Sequence, residues 1–188
     1  ANQLEYLSAS NDYTYELIRG RRESREVLFE ALDYAENELI IVCPWLGYGF
    51  NNNVIKRCEK LLDIGITIKI GWGKNTDIDS NKLNDGYNIN SNEIDDLRSR
   101  TSGKLYSKLL GTHEKFLVCD RKFAMLGSHN FLTSTDQERE RELGIKTNDP
   151  RMIDQLINRY NKARDIQNSN DDNNRQEYKE DFVDDIPF

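Results

Sequence analysis

The chain is short of cysteine, histidine and proline, and these shortages exclude several classes of protein. Its 188 residues include three cysteines, two histidines and three prolines. Cys43, Cys58 and Cys119 are widely spaced and form no C-x-x-C pair, which argues against a disulfide framework and against a cysteine-based zinc site. Two histidines are few for a histidine-based metal centre. We therefore predict reduced thiols and neither a metal nor any other cofactor.

Long apolar runs are also missing. No run approaches the roughly 20 apolar residues that a membrane-spanning helix needs, and no secretory leader is evident in the first residues. Hydrophobic residues make up 37% of the chain and charged residues 31%, so we expect a soluble, cytoplasmic protein without a membrane partner. Because the first residue is Ala and not Met, an excised or processed domain is an open alternative.

The net charge of −7 is unfavourable for binding nucleic acid, but it is unevenly distributed. Residues 166–188 hold seven acidic residues against Arg175 and Lys179, a net charge of −5, which leaves −2 for residues 1–165. The body of the chain can therefore present a local basic face. Overall charge does not decide the kind of partner.

Residues 111–130, GTHEKFLVCDRKFAMLGSHN, hold both histidines and the densest group of reactive side chains. Alternation predicts a strand with His113 and Lys115 on one face, because side chains of an extended segment have a period of two. A second strand follows the polar residues 120–122, which suit a hairpin turn. Each of these residues has a structural explanation when taken alone. Their joint spacing, H-x-K-x(4)-D-x(6)-G-S-x-N, is improbable by chance.

This spacing resembles the HKD motif of the phospholipase D superfamily, whose members cleave phosphodiester bonds through a phosphohistidine intermediate. The resemblance implies that His113 is the nucleophile and Lys115 the phosphate clamp. It also implies that Ser128 and Asn130 either hydrogen-bond the phosphate oxygens or hold the catalytic side chains in place. This chemistry requires no metal, because a lysine and directed hydrogen bonds stabilise the developing charge.

A nucleophilic histidine also needs a carboxylate to orient its far ring nitrogen. Members of the family carry an acidic residue some way after the G-S-x-N element, and the candidates in this chain lie in residues 138–142, ERERE. We predict Glu142, which directly precedes an apolar stretch, with Glu140 as the alternative on the same face of an extended chain. A solvated, self-paired surface run is the competing interpretation.

The remaining sequence predicts alternating helices and strands. Apolar residues at helical spacing predict helices at 22–36, 52–64 and 93–100, and Asp149 with Pro150 predicts the start of a last helix. Strands are predicted at 39–43, 66–70, 105–110 and 143–147, and a long polar loop at 74–90. The strand–helix–strand order over residues 39–70 implies a parallel pair.

This pattern predicts an α/β/α sandwich with a mixed β-sheet, which agrees with the phospholipase D-like fold. We divide the chain into an unassigned N-terminal segment (1–20), a catalytic domain (21–166) and an acidic, disordered tail (167–188).

Superfamily phospholipases carry two HKD motifs, whereas this chain has one. In a strand, His129 would point away from Ser128 and Asn130, so it is a poor candidate for the general acid. A two-fold symmetric homodimer supplies the missing group, because each protomer contributes His113 and Lys115 to one shared site. The small nucleases of the superfamily are built in this way. If the chain is excised from a longer protein, a second motif in the missing part is the alternative.

We therefore predict a metal-independent endonuclease that acts on nucleic acid, with DNA favoured over RNA. Trp45 and Trp72 either stack on a base or pack at the rim and core, and we predict Trp45 as a substrate contact together with Lys104 and Lys108. Two other classes stay open, a lipid or small phosphodiester hydrolase and a nucleic-acid-binding or dimerisation module of a larger protein, for instance in defence. Further basic residues near the motif are Arg121, Lys122, Arg139 and Arg141.

Overall fold

The structure is a computed structural model that describes residues 13–46, 52–73, 88–101, 104–132 and 141–166, with the backbone alone described for 52 and 88–93. Within these ranges the elements are, in chain order, β1 (Tyr15–Arg19), α1 (Gly20–Tyr34), β2 (Glu38–Val42), α2 (Asn52–Asp63), β3 (Thr67–Trp72), α3 (Asn88–Arg100), β4 (Lys104–Leu109), β5 (Phe116–Cys119), β6 (Phe123–Gly127), β7 (Leu143–Thr147) and α4 (Pro150–Lys162). The predicted tail, most of the predicted loop at 74–90 and residues 1–12 lie outside the described residues.

The strands form a mixed sheet in the order β1-β7-β6-β5-β2-β3-β4. β2, β3 and β4 are parallel to one another, and the pairs from β1 through β7, β6 and β5 to β2 are antiparallel. The predicted parallel pair is confirmed, with Leu39 of β2 opposite Ile68 of β3. β2 lies inside the sheet, which explains why its apolar run is continuous rather than alternating.

Helices cover both faces of the sheet, so the predicted α/β/α sandwich is confirmed. On one face, α1, α2 and α3 contribute Leu28, Leu62 and Leu97 to the larger core. On the other face, α4 packs on the sheet through Ile153, Ile157 and Tyr160. Alternate residues of β2 enter the two cores, as the period of two requires. No helix in the described ranges is long and apolar enough to cross a bilayer.

The predicted hairpin at the centre of the motif is also confirmed, since β5 and β6 pair antiparallel around residues 120–122. Asp120 and Arg121 have φ angles of 51° and 57°, and the Lys122 N–H donates to the Cys119 carbonyl at 2.8 Å. Positive φ at both central residues defines a type I′ turn, whose twist matches that of the flanking strands.

Asp120 has a structural role that its place in a polar turn does not reveal. Its side chain is 1% exposed, and its carboxylate accepts hydrogen bonds from the backbone N–H groups of Glu36 at 2.5 Å, Asn37 at 2.7 Å and Glu38 at 2.7 Å. Glu36 and Asn37 lie in the connection between α1 and β2, and Glu38 is the first residue of β2. Asp120 therefore fixes the hairpin turn to the start of the neighbouring strand.

The last helix begins as predicted. The Asp149 side chain caps it by accepting from the Arg151 N–H at 2.9 Å, and Pro150 occupies the first turn. The Tyr15 hydroxyl donates to Asp149 Oδ2 at 2.5 Å. The same carboxylate therefore joins β1 to the start of α4.

Three local predictions differ from the structure. Residues 15–19 form β1, although no element is predicted there, because only Ile18 of this edge strand is buried and the apolar pattern is too short to detect. α3 begins at Asn88, inside the predicted loop. His113 and Lys115 are predicted on a strand, but β5 begins at Phe116 and both residues precede it.

Candidate active site

The predicted catalytic residues lie at one end of the strands, which we call the site end. The register places Val42 at the end of β2 opposite Phe116 at the start of β5, and Gly127 at the end of β6 opposite Gly144 near the start of β7. The segments that enter or leave these strands carry Trp45, His113, Lys115, Ser128, Asn130 and Glu142. The opposite end, which includes the turn at 120–122, is the turn end.

His113 and Lys115 form a close pair in the segment that precedes β5. The Lys115 Nζ lies 3.4 Å from His113 Nδ1 and 3.5 Å from Nε2, and it donates to the His113 carbonyl at 3.2 Å. Trp45 stands edge-on to the imidazole with ring centroids 5.6 Å apart. Its ring centroid is 6.0 Å from the Lys115 Nζ, within the range of a cation–π interaction. An exposed imidazole, an ammonium group and an indole are therefore held together.

Two contacts hold this segment in place although it is not part of a strand. The Gly127 N–H donates to the Lys115 carbonyl at 3.2 Å, which continues the β5–β6 pairing by one residue. Glu114 lies between the histidine and the lysine and accepts from Arg159 Nε of α4 at 2.6 Å. The backbone is thus fixed to the sheet on one side and to a helix on the other.

Ser128 and Glu142 are hydrogen-bonded across the ends of β6 and β7. The Ser128 hydroxyl donates to Glu142 Oε2 at 2.5 Å and accepts from the Leu143 N–H at 3.0 Å. A hydroxyl has one proton to donate, and Glu142 Oε2 is the nearer of its two acceptors, since the Leu143 carbonyl oxygen lies 3.3 Å away. Gly127 and Gly144 allow the two strands to approach, because a Cβ at Gly127 would lie 2.4 Å from the Leu143 carbonyl oxygen.

Glu142 is buried at 8% exposure and has a basic residue on its inner side. Arg21, in the first turn of α1, places Nη2 3.8 Å from Glu142 Oε1, and both side chains are almost fully buried. The Gly20 N–H also donates to the Glu142 carbonyl at 2.8 Å. Sequence reasoning missed Arg21, because nothing in the pattern distinguishes a buried arginine in a first helical turn from a solvated one.

The second histidine of the motif belongs to the core. His129 is 0% exposed and packs edge-on against Phe131, with ring centroids 5.3 Å apart. Burial, assisted by the charges of Arg21 and Arg25, lowers the pKa of His129 to about 4. Within the described ranges, neither of its ring nitrogens nor Asn130 Oδ1 has a hydrogen-bond partner. His129 is therefore neutral at neutral pH and cannot reach a substrate.

The two lysines that are predicted to contact substrate lie elsewhere. Lys104 opens β4 opposite Thr67, at the turn end. Lys108 lies nearer the site end, but its ammonium closes the C-terminus of α4, and burial lowers its pKa. These placements do not support the two predicted contacts. The carbonyls that Lys108 contacts belong to Tyr160 at 3.1 Å, Asn161 at 3.2 Å and Ala163 at 3.1 Å.

A family model described as "Cardiolipin synthase, PLD-like domain" matches residues 28–164. This is more than half of the sequence, so the chain belongs to the phospholipase D-like family, whose members generally cleave phosphodiester bonds. A comparison with curated proteins gave no match.

Solved structures of other proteins share this fold. NucT from Helicobacter pylori is similar with a TM-score of 0.57 and 19% identity over 81% of this chain and 96% of that chain. Nuc from Salmonella typhimurium, a phospholipase D family member, gives 0.60 and 16% over 82% and 98%. TrmBL2, an archaeal chromatin protein, gives 0.53 and 18% over 81% and 54%. At these identities the similarities establish the fold alone.

Proposed function

We propose that this protein is a metal-independent endonuclease that cleaves DNA, or else RNA, through a phosphohistidine intermediate at a site shared by two protomers. The observation that carries the proposal is the pairing of an exposed imidazole with an ammonium group 3.4 Å from its Nδ1. The fold similarity to two small proteins, NucT and Nuc, that match this chain over nearly their whole length supports it.

In the proposed reaction a ring nitrogen of His113 attacks phosphorus and the bond to the leaving oxygen breaks. Lys115 stabilises the charge on the non-bridging oxygens, and the partner's His113, protonated at the start, gives its proton to the leaving oxygen. Water then attacks the phosphohistidine while the same partner imidazole, now neutral, takes a proton from it. This second step restores both histidines and releases the phosphate monoester.

The remaining groups act by position. Because Glu142 Oε2 is the nearest acceptor for the Ser128 hydroxyl, the geometry favours a role for Ser128 in holding that carboxylate rather than in contacting phosphate. Glu142, held between Ser128 and Arg21, is our candidate for the carboxylate that orients an imidazole. The Trp45 ring lies beside His113 and Lys115, and a base can stack on it.

Plasmid nicking in excess EDTA tests the proposal directly. We expect the wild type to nick a supercoiled plasmid in the chelator, and His113→Ala to lose activity by at least ~1,000-fold because the nucleophile is gone. Asp154→Ala, which alters an exposed residue of α4 that pairs with Arg121 at the turn end, is the control and should keep full activity. Rapid quenching with end-labelled DNA should trap an adduct that is stable in alkali and labile in acid.

Two results would contradict the proposal. Nicking that requires added metal would exclude this mechanism, and equal activity in the His113→Ala variant would exclude the nucleophile. A protein that binds DNA but never cleaves it would favour the second candidate, a DNA-binding module. The fold similarity to TrmBL2, whose structure is described as showing a novel mode of DNA binding, is the observation behind that candidate.

A further inference from the structure

Two arginines in the first turn of α1 lie in opposite environments, although they are neighbours in the chain. The Arg22 side chain is 86% exposed, and it pairs with Glu26 of the next helical turn at 3.7 Å. The Arg21 side chain is 7% exposed, and its Nη2 lies 3.8 Å from Glu142 Oε1. Arg22 is therefore a solvated residue of a helix surface, whereas Arg21 is a charge enclosed between the helix and the sheet.

The position of Arg21 is unfavourable for a cation in two respects. A guanidinium loses the hydration of bulk water when it is buried. The first turn is also the positive end of a helix, where acidic side chains are stabilising and basic side chains are not. Glu23, which accepts the Arg19 N–H at 2.6 Å, is the acidic residue of this turn. The carboxylate of Glu142 lies close enough to Arg21 to offset these two costs.

The two oxygens of the Glu142 carboxylate have different partners. Oε2 accepts from the Ser128 hydroxyl at 2.5 Å. Oε1 lies 3.8 Å from Arg21, which is beyond a hydrogen bond, so this contact is an attraction between charges. Within the described ranges Oε1 accepts no hydrogen bond. A carboxylate oxygen has two lone pairs, so Oε1 keeps the capacity to accept from an imidazole N–H.

The path of the chain places the two charged groups beside each other. Arg19, the last residue of β1, lies opposite Leu143 of β7. The next residue, Gly20, has a φ angle of 68°, and its N–H donates to the Glu142 carbonyl at 2.8 Å. Glycine adopts a positive φ readily, and here it turns the chain from the strand into α1. Arg21 follows directly, so the turn that bonds the Glu142 backbone also places a guanidinium beside the Glu142 carboxylate.

We propose that Arg21 is a positioning residue for phosphodiester cleavage, which acts through Glu142 and does not contact the substrate. This inference rests on the proposed function, in which Glu142 orients an imidazole. The charge of Arg21 and the hydroxyl of Ser128 hold the Glu142 side chain in one orientation, one at each oxygen. A carboxylate only accepts hydrogen bonds, so an imidazole oriented by Glu142 presents its N–H to that group and its bare nitrogen to phosphorus. Because the contact is not a hydrogen bond, it requires the charge of Arg21 and not the planar fork of a guanidinium.

The test is a comparison of kcat and KM for plasmid nicking in excess EDTA, expressed per folded molecule. Arg21→Met removes the charge and keeps most of the side-chain length, and it should lower kcat by about 10- to 100-fold while KM changes by less than about twofold. Arg21→Lys keeps the charge and should retain kcat within about threefold of the wild type. Arg22→Met is the matched control at the neighbouring exposed position and should leave both constants unchanged.

A double variant shows whether Arg21 acts through Glu142. Glu142→Gln alone should lower kcat at least as much as Arg21→Met. Adding Arg21→Met to Glu142→Gln should then change kcat by less than about twofold, because the carboxylate that the charge positions is already absent. A loss equal to the product of the two single losses would overturn the inference, as would full activity of Arg21→Met or an Arg21→Lys variant that is as impaired as Arg21→Met.

These outcomes are distinct from a failure of the proposed function. A wild type without nicking activity in EDTA would overturn the proposed function and this inference together. An active wild type with a fully active Glu142→Gln variant would overturn the roles of Glu142 and Arg21 and leave the nuclease proposal in place. Circular dichroism shows whether each variant is folded, because removing one partner of a buried ion pair is strongly destabilising. Arg21→Gln, which is neutral but keeps N–H donors, replaces Arg21→Met if that variant fails to fold.

Discussion

The two ends of the sheet differ in what their side chains do. At the turn end, the Asp120 carboxylate accepts three backbone N–H groups and the carboxylate of Asp149 joins β1 to α4. At the site end, the exposed His113 lies beside Lys115 and Trp45. One end is closed by satisfied hydrogen bonds, and the other presents reactive groups to solvent.

Residues 113–120, whose spacing resembles the HKD motif, span this difference. Their histidine and lysine lie at the site end, their aspartate lies at the turn end, and the four residues between lysine and aspartate are the strand Phe116–Cys119, buried throughout. The fixed spacing between the lysine and the aspartate therefore corresponds to the length of one buried strand. In our proposal the histidine and the lysine supply the chemistry, and the aspartate anchors the strand that positions them.

The largest contrast is expected between the two lysines of the motif segment. Lys115→Ala should lower nicking activity by about 100- to 1,000-fold, because the proposed mechanism uses its charge to stabilise the phosphate oxygens. Lys122→Ala should keep full activity, because that ammonium pairs with Glu36 at the turn end, 2.8 Å away. Initial rates of nicking for the two variants check the prediction. Equal losses in both would show that the two ends are not functionally distinct.

Asp120→Ala should have the opposite kind of effect: it should lower the stability of the fold and leave the activity per folded molecule unchanged. Three backbone N–H groups would lose their acceptor, so we expect the free energy of unfolding to fall by about 2–4 kcal/mol. Asp154→Ala breaks an exposed ion pair with Arg121 at the same end and should change it by less than about 0.5 kcal/mol. Urea denaturation measures the free energy of unfolding of both variants. If activity per folded molecule also fell in Asp120→Ala, the turn end would have a part in catalysis.

Lowering the pH should reduce the free energy of unfolding through His129, which lies next to the site end. Its folded pKa of about 4 lies below the unfolded value, which is about 6.5. Between these values the unfolded chain binds a proton that the folded chain does not, so the stability contribution is complete above pH 6.5 and is lost as the pH falls towards 4. The loss amounts to at most about 3 kcal/mol.

Two variants isolate this contribution. His129→Leu should show a shallower decline of unfolding free energy between pH 6.5 and 4 than the wild type, because the titrating group is absent. Tyr106→Leu, which changes an exposed side chain on β4 and leaves His129 in place, should follow the wild-type slope. Parallel curves for all three proteins would show that the buried histidine does not titrate in this range.

The smallest effect is expected from two ion pairs that join α4 to the hairpin segment. Arg159 pairs with Glu114 at the site end, and Arg121 pairs with Asp154 at the turn end. Exposed pairs of this kind contribute little stability, so neither arginine-to-alanine variant should unfold at a clearly lower temperature. Arg159→Ala should nevertheless lower activity by about threefold, because Glu114 lies between His113 and Lys115, and Arg121→Ala should not. Equal activities would indicate that the sheet alone positions the segment.

Most of the fold could be predicted because its elements carry strong local patterns. The buried strand β2 is a continuous apolar run, and β3 is rich in β-branched residues. The sequence of α4 shows both the capping aspartate and the apolar residues at helical spacing. β1 could not be predicted, since its one buried residue, Ile18, gives no period to detect. The predicted strand begins too early, ahead of Phe116, because alternation alone does not show where hydrogen-bonded pairing begins.

The candidate site was predictable to the extent that the motif contains it. His113 and Lys115 are close in sequence and close in space, but Arg21 lies in a distant helix and reaches Glu142 only through the β1–β7 pairing. The contacts of Lys108 were not predictable either, because its partners are set by where α4 ends. Contacts that depend on the packing of separate elements leave no signal in a single sequence.

The three cysteines of the folded chain should react unusually slowly with thiol reagents. Burial raises the pKa values of Cys43, Cys58 and Cys119 to about 12, and only the thiolate reacts with alkylating reagents. Labelling by a maleimide should therefore wait for an opening of the structure. Because Cys43 follows β2 next to the site end and Cys119 borders the turn at the other, the rates of labelling would time the opening of the two ends separately within one molecule.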